Sequence, residues 1–236
     1  MNWVKLVLLK MATDIVAKHG NAKKVLDNLE KVTDYIDSNI RHPVNSYLIE
    51  CICALLFNLA EQKYGDSSVE HDGICMRPAF VRQPRSFVGA TLATEDHPKI
   101  KYIICLGSYI RTWEQLFYEL AHETLHLLGP TDTYKHPVAC IEEGVAVKFA
   151  EDFYDSYITP VAGLKSHNTP LNAPSSVYHK AHKITNKIPD TVLKAIRKEF
   201  FNFKDVQKEG LHRLANEFIT DNEATYLSSR FDYHAY

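Results

Sequence analysis

Residues 119–132 read ELAHETLHLLGPTD, and the rest of the chain is best read outward from them. His122 and His126 are four apart, so on a helix they sit one turn apart and face the same way. That spacing lets two imidazole nitrogens reach one metal ion. Glu123 falls about a hundred degrees round the same helix. It is badly placed for a third ligand but close enough to hold a water on the ion. The surrounding residues predict a helix with two faces. Trp113, Leu116, Phe117, Leu120, Thr124 and Leu127 form a mostly apolar side, while His122 and His126 lie opposite, in line with Gln115 and Glu119. Such a helix packs on a core with one side and looks into a cleft with the other. With 12 histidines in the chain, a chance pair on a solvated helix is the rival reading. The run LFYELAHETLHLL is too apolar for free exposure, and polar groups left uncompensated on it would be costly.

Punctuation around this helix bounds it. Thr112 followed by Gln115 is a capping box, Gly129-Pro130 ends the helix, and Pro137 suits the first turn of the next. Upstream, residues 68–109 change texture. GICMRPAFV, SFVGATLAT and KIKYIICLGSY are short, rich in β-branched and aromatic residues, and broken by Pro78, Pro84, Gly89 and Pro98. They predict strands of a small sheet, with the prolines at edges or strand ends. Residues 1–64 read as helices. NAKKVLDNLEKVTDYI places Val25, Leu29, Val32 and Ile36 at helical spacing, and NSYLIECICALLFNLAEQKY is a more buried helix stopped by Gly65. Residues 112–158 hold the metal-site helices, LKSHNTPLNAPSS is a loop, and residues 175–232 carry further helices near 189–200, 204–218 and 221–230. The expectation is one α+β domain over residues 1–236, mainly helical, with a small mixed sheet preceding the active-site helix. No repeat or linker divides it.

Bulk properties narrow the partners. A formal net charge of -2, with 24% charged residues well mixed, gives no electrostatic case for nucleic acid or an anionic membrane. No apolar run approaches the eighteen or so residues of a membrane span. The opening MNWVKLVLLKMATDIVAKHG lacks a small-residue cleavage site and carries Lys5 and Lys10, so it reads as an amphipathic or buried helix. Cys51, Cys53, Cys75, Cys105 and Cys140 are odd in number and mostly sit in apolar runs, where free cysteine acts as a small hydrophobe. The expectation is a reducing, cytoplasmic compartment without disulfides.

A catalytic zinc takes three protein ligands and keeps one position open. Two candidates lie downstream of His126. HETLHLLGPTD fits HExxHxxGxxH with Asp132 in the last place, similar to the metzincin pattern. Met1, Met11 and Met76 all precede it, so the methionine turn expected below a metzincin metal is missing. The second candidate lies in ACIEEGVAVKFAEDF. Periodicity puts Gly144, Lys148, Glu151 and Asp155 on a solvated stripe and leaves both Glu142 and Glu143 away from it. From the residues alone, Asp132, Glu142 and Glu143 remain open.

Glu143-Gly144-Val145-Ala146 resembles the downstream Glu-Gly-x-Ala element of gluzincins, a branch of the zincin metallopeptidases. Sixteen residues lie between His126 and Glu143, somewhat fewer than in thermolysin-like or aminopeptidase-type members. The resemblance covers about residues 119–154. It implies a zincin-like fold and Zn2+ held by His122, His126 and Glu143, with Glu123 as general base in peptide hydrolysis. Asp132 then becomes a loop residue, and Glu119 a partner for a histidine's other ring nitrogen. KIKYIICLGSY would bind a peptide or protein substrate by edge pairing. Tyr178, His179, His182 and His212 are downstream candidates for the oxyanion donor. The alternatives are a metal-retaining, peptidase-like binding module and a helical interaction protein with a chance motif.

Overall fold

A computed structural model of the chain describes residues 2–15, 25, 27–29, 31, 33, 35–91, 101–131, 138–166 and 169–233. The first helix, α1 (Asn2–Asp14), buries Val4, Val7, Leu8 and Met11, the i, i+3, i+4, i+7 stripe of an amphipathic helix, and exposes Leu6 and Leu9. Val25 and Leu29 are also buried, whereas Val32, Pro98, Asp132 and Pro137 lie outside the described residues. A short 3-10 turn at Pro43–Asn45 leads into α2 (Ser46–Tyr64), which is apolar nearly all round. Pro43–Tyr64 is long and apolar enough to cross a membrane by length and composition, which the charge-free runs of the sequence do not suggest on their own. Of its most apolar window, 67% is buried inside the fold. Gly65 ends α2 at φ 101, a backbone conformation that favours glycine.

Among the described residues, three strands form one sheet: β1 (Ile74–Phe80), β2 (Phe87–Ala90) and β3 (Tyr102–Leu106), in the order β1-β3-β2. Pro78 stands in edge strand β1, where the register shifts between Cys75 and Ala79. This is where a residue without an N–H is tolerated. One expectation is overturned. KIKYIICLGSY supplies β3, the central strand, parallel to β1 and antiparallel to β2. Its backbone is paired on both sides, so it offers no edge to a peptide. Of the two edge strands, β2 is the one antiparallel to the centre.

Past the sheet the chain is helical, with α3 (Trp113–His126), α4 (Cys140–Phe153), α5 (Val177–Thr185), α6 (Asp190–Phe200), α7 (Lys208–Ala215) and α8 (Asp221–Ser228). Helix α4 runs into a π-helical turn at Tyr154–Ile158. One hydrophobic cluster reaches from Val4 in α1 to Leu227 in α8 and takes in β1, β2 and β3. The class is α+β, mainly helical with a small mixed sheet. No disulfide joins any of the five cysteines.

Two contacts fix the helices that carry the two histidines and the two glutamates. Helix α4 is buried on almost every side; Lys148, Glu151 and Asp155 keep the exposure expected of the stripe, but Gly144 faces α5 rather than solvent and drops out of it. A Cβ there would come within 2.2 Å of Thr185 Oγ1 and 2.8 Å of the Ala181 carbonyl oxygen. Farther along, buried Arg197 of α6 donates to the Leu128 carbonyl (2.6 Å), just past the end of α3, and reaches the Tyr64 carbonyl at the end of α2 (3.5 Å).

Candidate metal centre

Helix α3 begins with the capping box. Thr112 Oγ1 accepts from the Gln115 N–H (3.3 Å), and Gln115 Oε1 accepts from the Thr112 N–H (3.2 Å). From there the helix packs against α2 and α4, burying Leu116, Phe117, Leu120 and Thr124 as its periodicity requires. Its histidine face does not open widely to solvent. His122, Glu123 and His126 are only 8%, 5% and 3% exposed, because the first turn of α4 lies against them.

Glu142 and Glu143 both belong to that first turn, where the helix dipole favours negative charge. Consecutive residues on a helix diverge by about a hundred degrees, so the two carboxylates reach α3 on different sides of His126. Glu143 Oε2 is 3.2 Å from His122 Nε2, and Glu143 Oε1 is 3.7 Å from His126 Nε2. The potential ligand atoms of His122, His126 and Glu143 lie within 4.8 Å of one another, all three side chains buried. Glu142 Oε1 meets the opposite nitrogen, His126 Nδ1, at 2.7 Å. A carboxylate there accepts the Nδ1–H hydrogen bond and leaves Nε2 as the atom that can bind a metal. Sequence reasoning assigns this task to Glu119, and the structure assigns it to Glu142. Glu119 stands on the more exposed side of α3 and interacts with Tyr109.

The electrostatics are those of a site built around positive charge. Burial opposes ionisation of His126, but Glu143 and Glu142 outweigh it and carry the imidazole up to about 10. His122 is raised for the same reason, with Glu143 again overcoming burial. Burial alone would raise Glu143, yet His126, His122 and a hydroxyl from Tyr233 hold it below the usual carboxylate range. Glu123 behaves differently. Burial dominates over the nearby His126 and His122 and lifts its carboxyl to about 7. A buried acceptor, Glu143 Oε2, has no hydrogen-bond partner, since its approach to His122 falls short of a directed bond. Two imidazoles and a carboxylate converging on one point, with one carboxylate oxygen outside any directed hydrogen bond, fit a divalent ion that prefers nitrogen and oxygen donors. Such an ion displaces the protons that the histidines otherwise hold.

The other named candidates fall apart spatially. Tyr178 adjoins the site, its ring centroid 6.2 Å from that of His122. His179 Nδ1 instead sits 3.2 Å from the Leu171 carbonyl oxygen. His182 faces Lys148 and Asp152, and burial together with the Lys148 charge lowers it. His212 lies on α7, near Asp221. Asp132 is outside the described residues. Two tyrosines that sequence reasoning does not single out stand at the site. Tyr109, just after β3, interacts with Glu119 and Glu123, while burial and then the Glu119 charge raise its hydroxyl. Tyr233, ninety residues beyond Glu143, donates its hydroxyl to Glu143 Oε1 at 2.9 Å. No spacing rule links residues so far apart; the only local signal is the aromatic ending FDYHAY.

No family model matches the chain, and neither does any curated protein or solved structure.

Proposed function

We propose that the protein is a zinc-dependent metallopeptidase of the gluzincin-like kind, with a zincin-like arrangement of active-site helix and sheet. The observation that supports this most directly is the buried convergence of His122, His126 and Glu143 on one point, with Glu123 beside them. His122 Nε2, His126 Nε2 and Glu143 would hold the ion. Zinc, when bound, supplies a water acidified toward neutrality and a Lewis acid for the scissile carbonyl.

The chain's own groups do the rest. Glu123 is a buried carboxylate beside the ligands, placed to act as a general base that later returns the proton to a leaving amine. Glu142 holds the His126 ring through Nδ1. Burial of all four side chains keeps bulk water out and strengthens each electrostatic contact. A peptide or protein substrate pairs along β2, the antiparallel edge, rather than β3. Five cysteines without a disulfide among them favour a reducing, cytoplasmic setting.

That same burial favours a second reading, a metal-retaining module with little turnover. Two measurements separate the readings. Protein purified without added metal is expected to carry near-stoichiometric zinc and to hydrolyse a mixed peptide library. Glu123→Gln is expected to keep the zinc and the fold and to lose hydrolysis by at least about a hundredfold, the lower range for general acid–base catalysis. Loss of zinc from that variant, or near-native turnover, would refute the role of Glu123. Zinc without turnover in the wild type would leave the module.

A further inference from the structure

Glu143 has two oxygens and only one can be spared for an ion without competition. Oε1 accepts the Tyr233 hydroxyl at 2.9 Å, whereas Oε2 is buried without a hydrogen bond. A carboxylate at the end of a flexible side chain would otherwise be free to exchange these positions. The donor on Oε1 fixes its rotation.

The backbone that brings Tyr233 to this point is itself pinned to the start of α4. The Cys140 N–H donates to the Ser229 carbonyl (2.8 Å), the Phe231 N–H donates to the Val138 carbonyl (2.8 Å), and Ala139 pairs with Arg230 in an antiparallel bridge. Arg85, from the turn between β1 and β2, donates to the Tyr233 carbonyl at 3.2 Å. Between these anchors the buried Phe231 ring packs on Tyr178 (centroids 4.7 Å) and on Tyr233 (5.1 Å), and Tyr178 in turn faces His122. The segment after α8 is thus a strap across the turn that carries Glu142 and Glu143.

We propose that Tyr233 is a positioning residue of the metal centre, its hydroxyl holding Glu143 Oε1 so that Oε2 faces the ion, with residues 229–233 as the strap that delivers it. The inference rests on the metal-centre reading above and adds to it a group acting through a ligand rather than on substrate. Outer-sphere partners of this kind are worth about ten- to hundredfold in metal affinity.

The test is a zinc titration against a competing chelator on the full chain, for wild type, Tyr233→Phe and Tyr226→Phe. Tyr226 belongs to the same aromatic cluster, but its hydroxyl donates to the Val177 carbonyl (3.3 Å) and not to Glu143. Tyr233→Phe is expected to weaken zinc by about ten- to hundredfold, with the metal-free protein still folded and unfolding cooperatively. Tyr226→Phe is expected to bind zinc as the wild type does. Equal affinity in Tyr233→Phe and wild type would overturn the inference and leave the metal centre standing. An equal loss in both variants would also overturn it, by assigning the effect to packing. A wild type that takes up no zinc would remove the metal reading itself, and this inference with it.

Discussion

Glu142 and Glu143 are neighbours in the chain, share a helix turn and are both buried, yet they serve different atoms. Glu143 faces the Nε2 atoms of both histidines, and Glu142 faces only Nδ1 of His126. Removing Glu143 takes away one of three protein ligands, so Glu143→Ala is expected to lower zinc affinity by several orders of magnitude. Glu142→Ala leaves the ligands in place but frees the ring of His126, and its cost is expected near the ten- to hundredfold of an outer-sphere partner. A chelator-competition titration ranks the two, with Asp132→Ala expected to do no more than Glu142→Ala. Should Asp132→Ala prove the most damaging, the third ligand would be Asp132 and not Glu143. The pairing of the histidines, with Glu123 beside them, was legible from four-residue spacing because a helix turn is a local object. The division between the two glutamates was not, since it depends on how α4 is set against α3. Tyr233 was further out of reach, because its partner is ninety residues away.

At the level of elements, α3 was legible at its start, from Thr112 and Gln115, and on its core face, from the apolar period, though not in the burial of its histidine face under α4. Helix α4 was legible only in part, for a physical reason. A helix buried on nearly every side keeps only a narrow exposed stripe to give away its orientation; Lys148, Glu151 and Asp155 lie on it as expected, and Gly144 does not. Gly144 is small because α5 crosses there. Gly144→Ala is expected to force that crossing apart and destabilise the fold by about 1–3 kcal/mol, the usual cost of overpacking. Helix propensity alone would instead favour alanine by about 1 kcal/mol. The sign of the change in chemical denaturation separates the two effects, and a stabilised variant would show that the α4–α5 contact can relax. The strands were legible too, but their order was not. Which strand is central depends on pairings between distant segments, and edge strand β2, like central β3, holds no proline to mark it as an edge.

For the molecule as a whole, the helices around α4 are also joined by charge. Lys63 of α2 contacts Asp152 (2.5 Å) and Asp190 (3.1 Å), and Lys148 contacts the same two carboxylates at 3.0 and 3.6 Å. Burial would raise Asp152, but Lys63 and Lys148 together lower it. A carboxyl whose folded pKa lies below its unfolded value of about 3.9 stabilises the fold above that value. The contribution is lost as pH falls through the folded pKa, because the unfolded chain then binds more protons. Asp152→Asn is therefore expected to lower the melting temperature at neutral pH and to flatten its decline below about pH 4. The effect is modest, since the side chain is 39% exposed and solvent screens the pair. A mutant curve parallel to the wild type through the acid limb would exclude Asp152 as a source of it. Arg197 links the same helices by another means, gripping carbonyls at the ends of α2 and α3. Seen in deuterium uptake, that grip has a consequence for the ground beneath His126. The amides of Leu127, Leu128 and Gly129, bonded back to Thr124, Leu125 and His126, should not open one turn at a time as helix ends usually do. They should exchange at the slow rate of the global core. Hydrogen bonds to a charged group are worth about 1.5–3 kcal/mol, so Arg197→Met should speed these three amides by roughly ten- to a hundredfold relative to the rest of the core. The last turn of the histidine helix would then fray in solution, while the first turn, closed by Thr112 and Gln115, kept its protection.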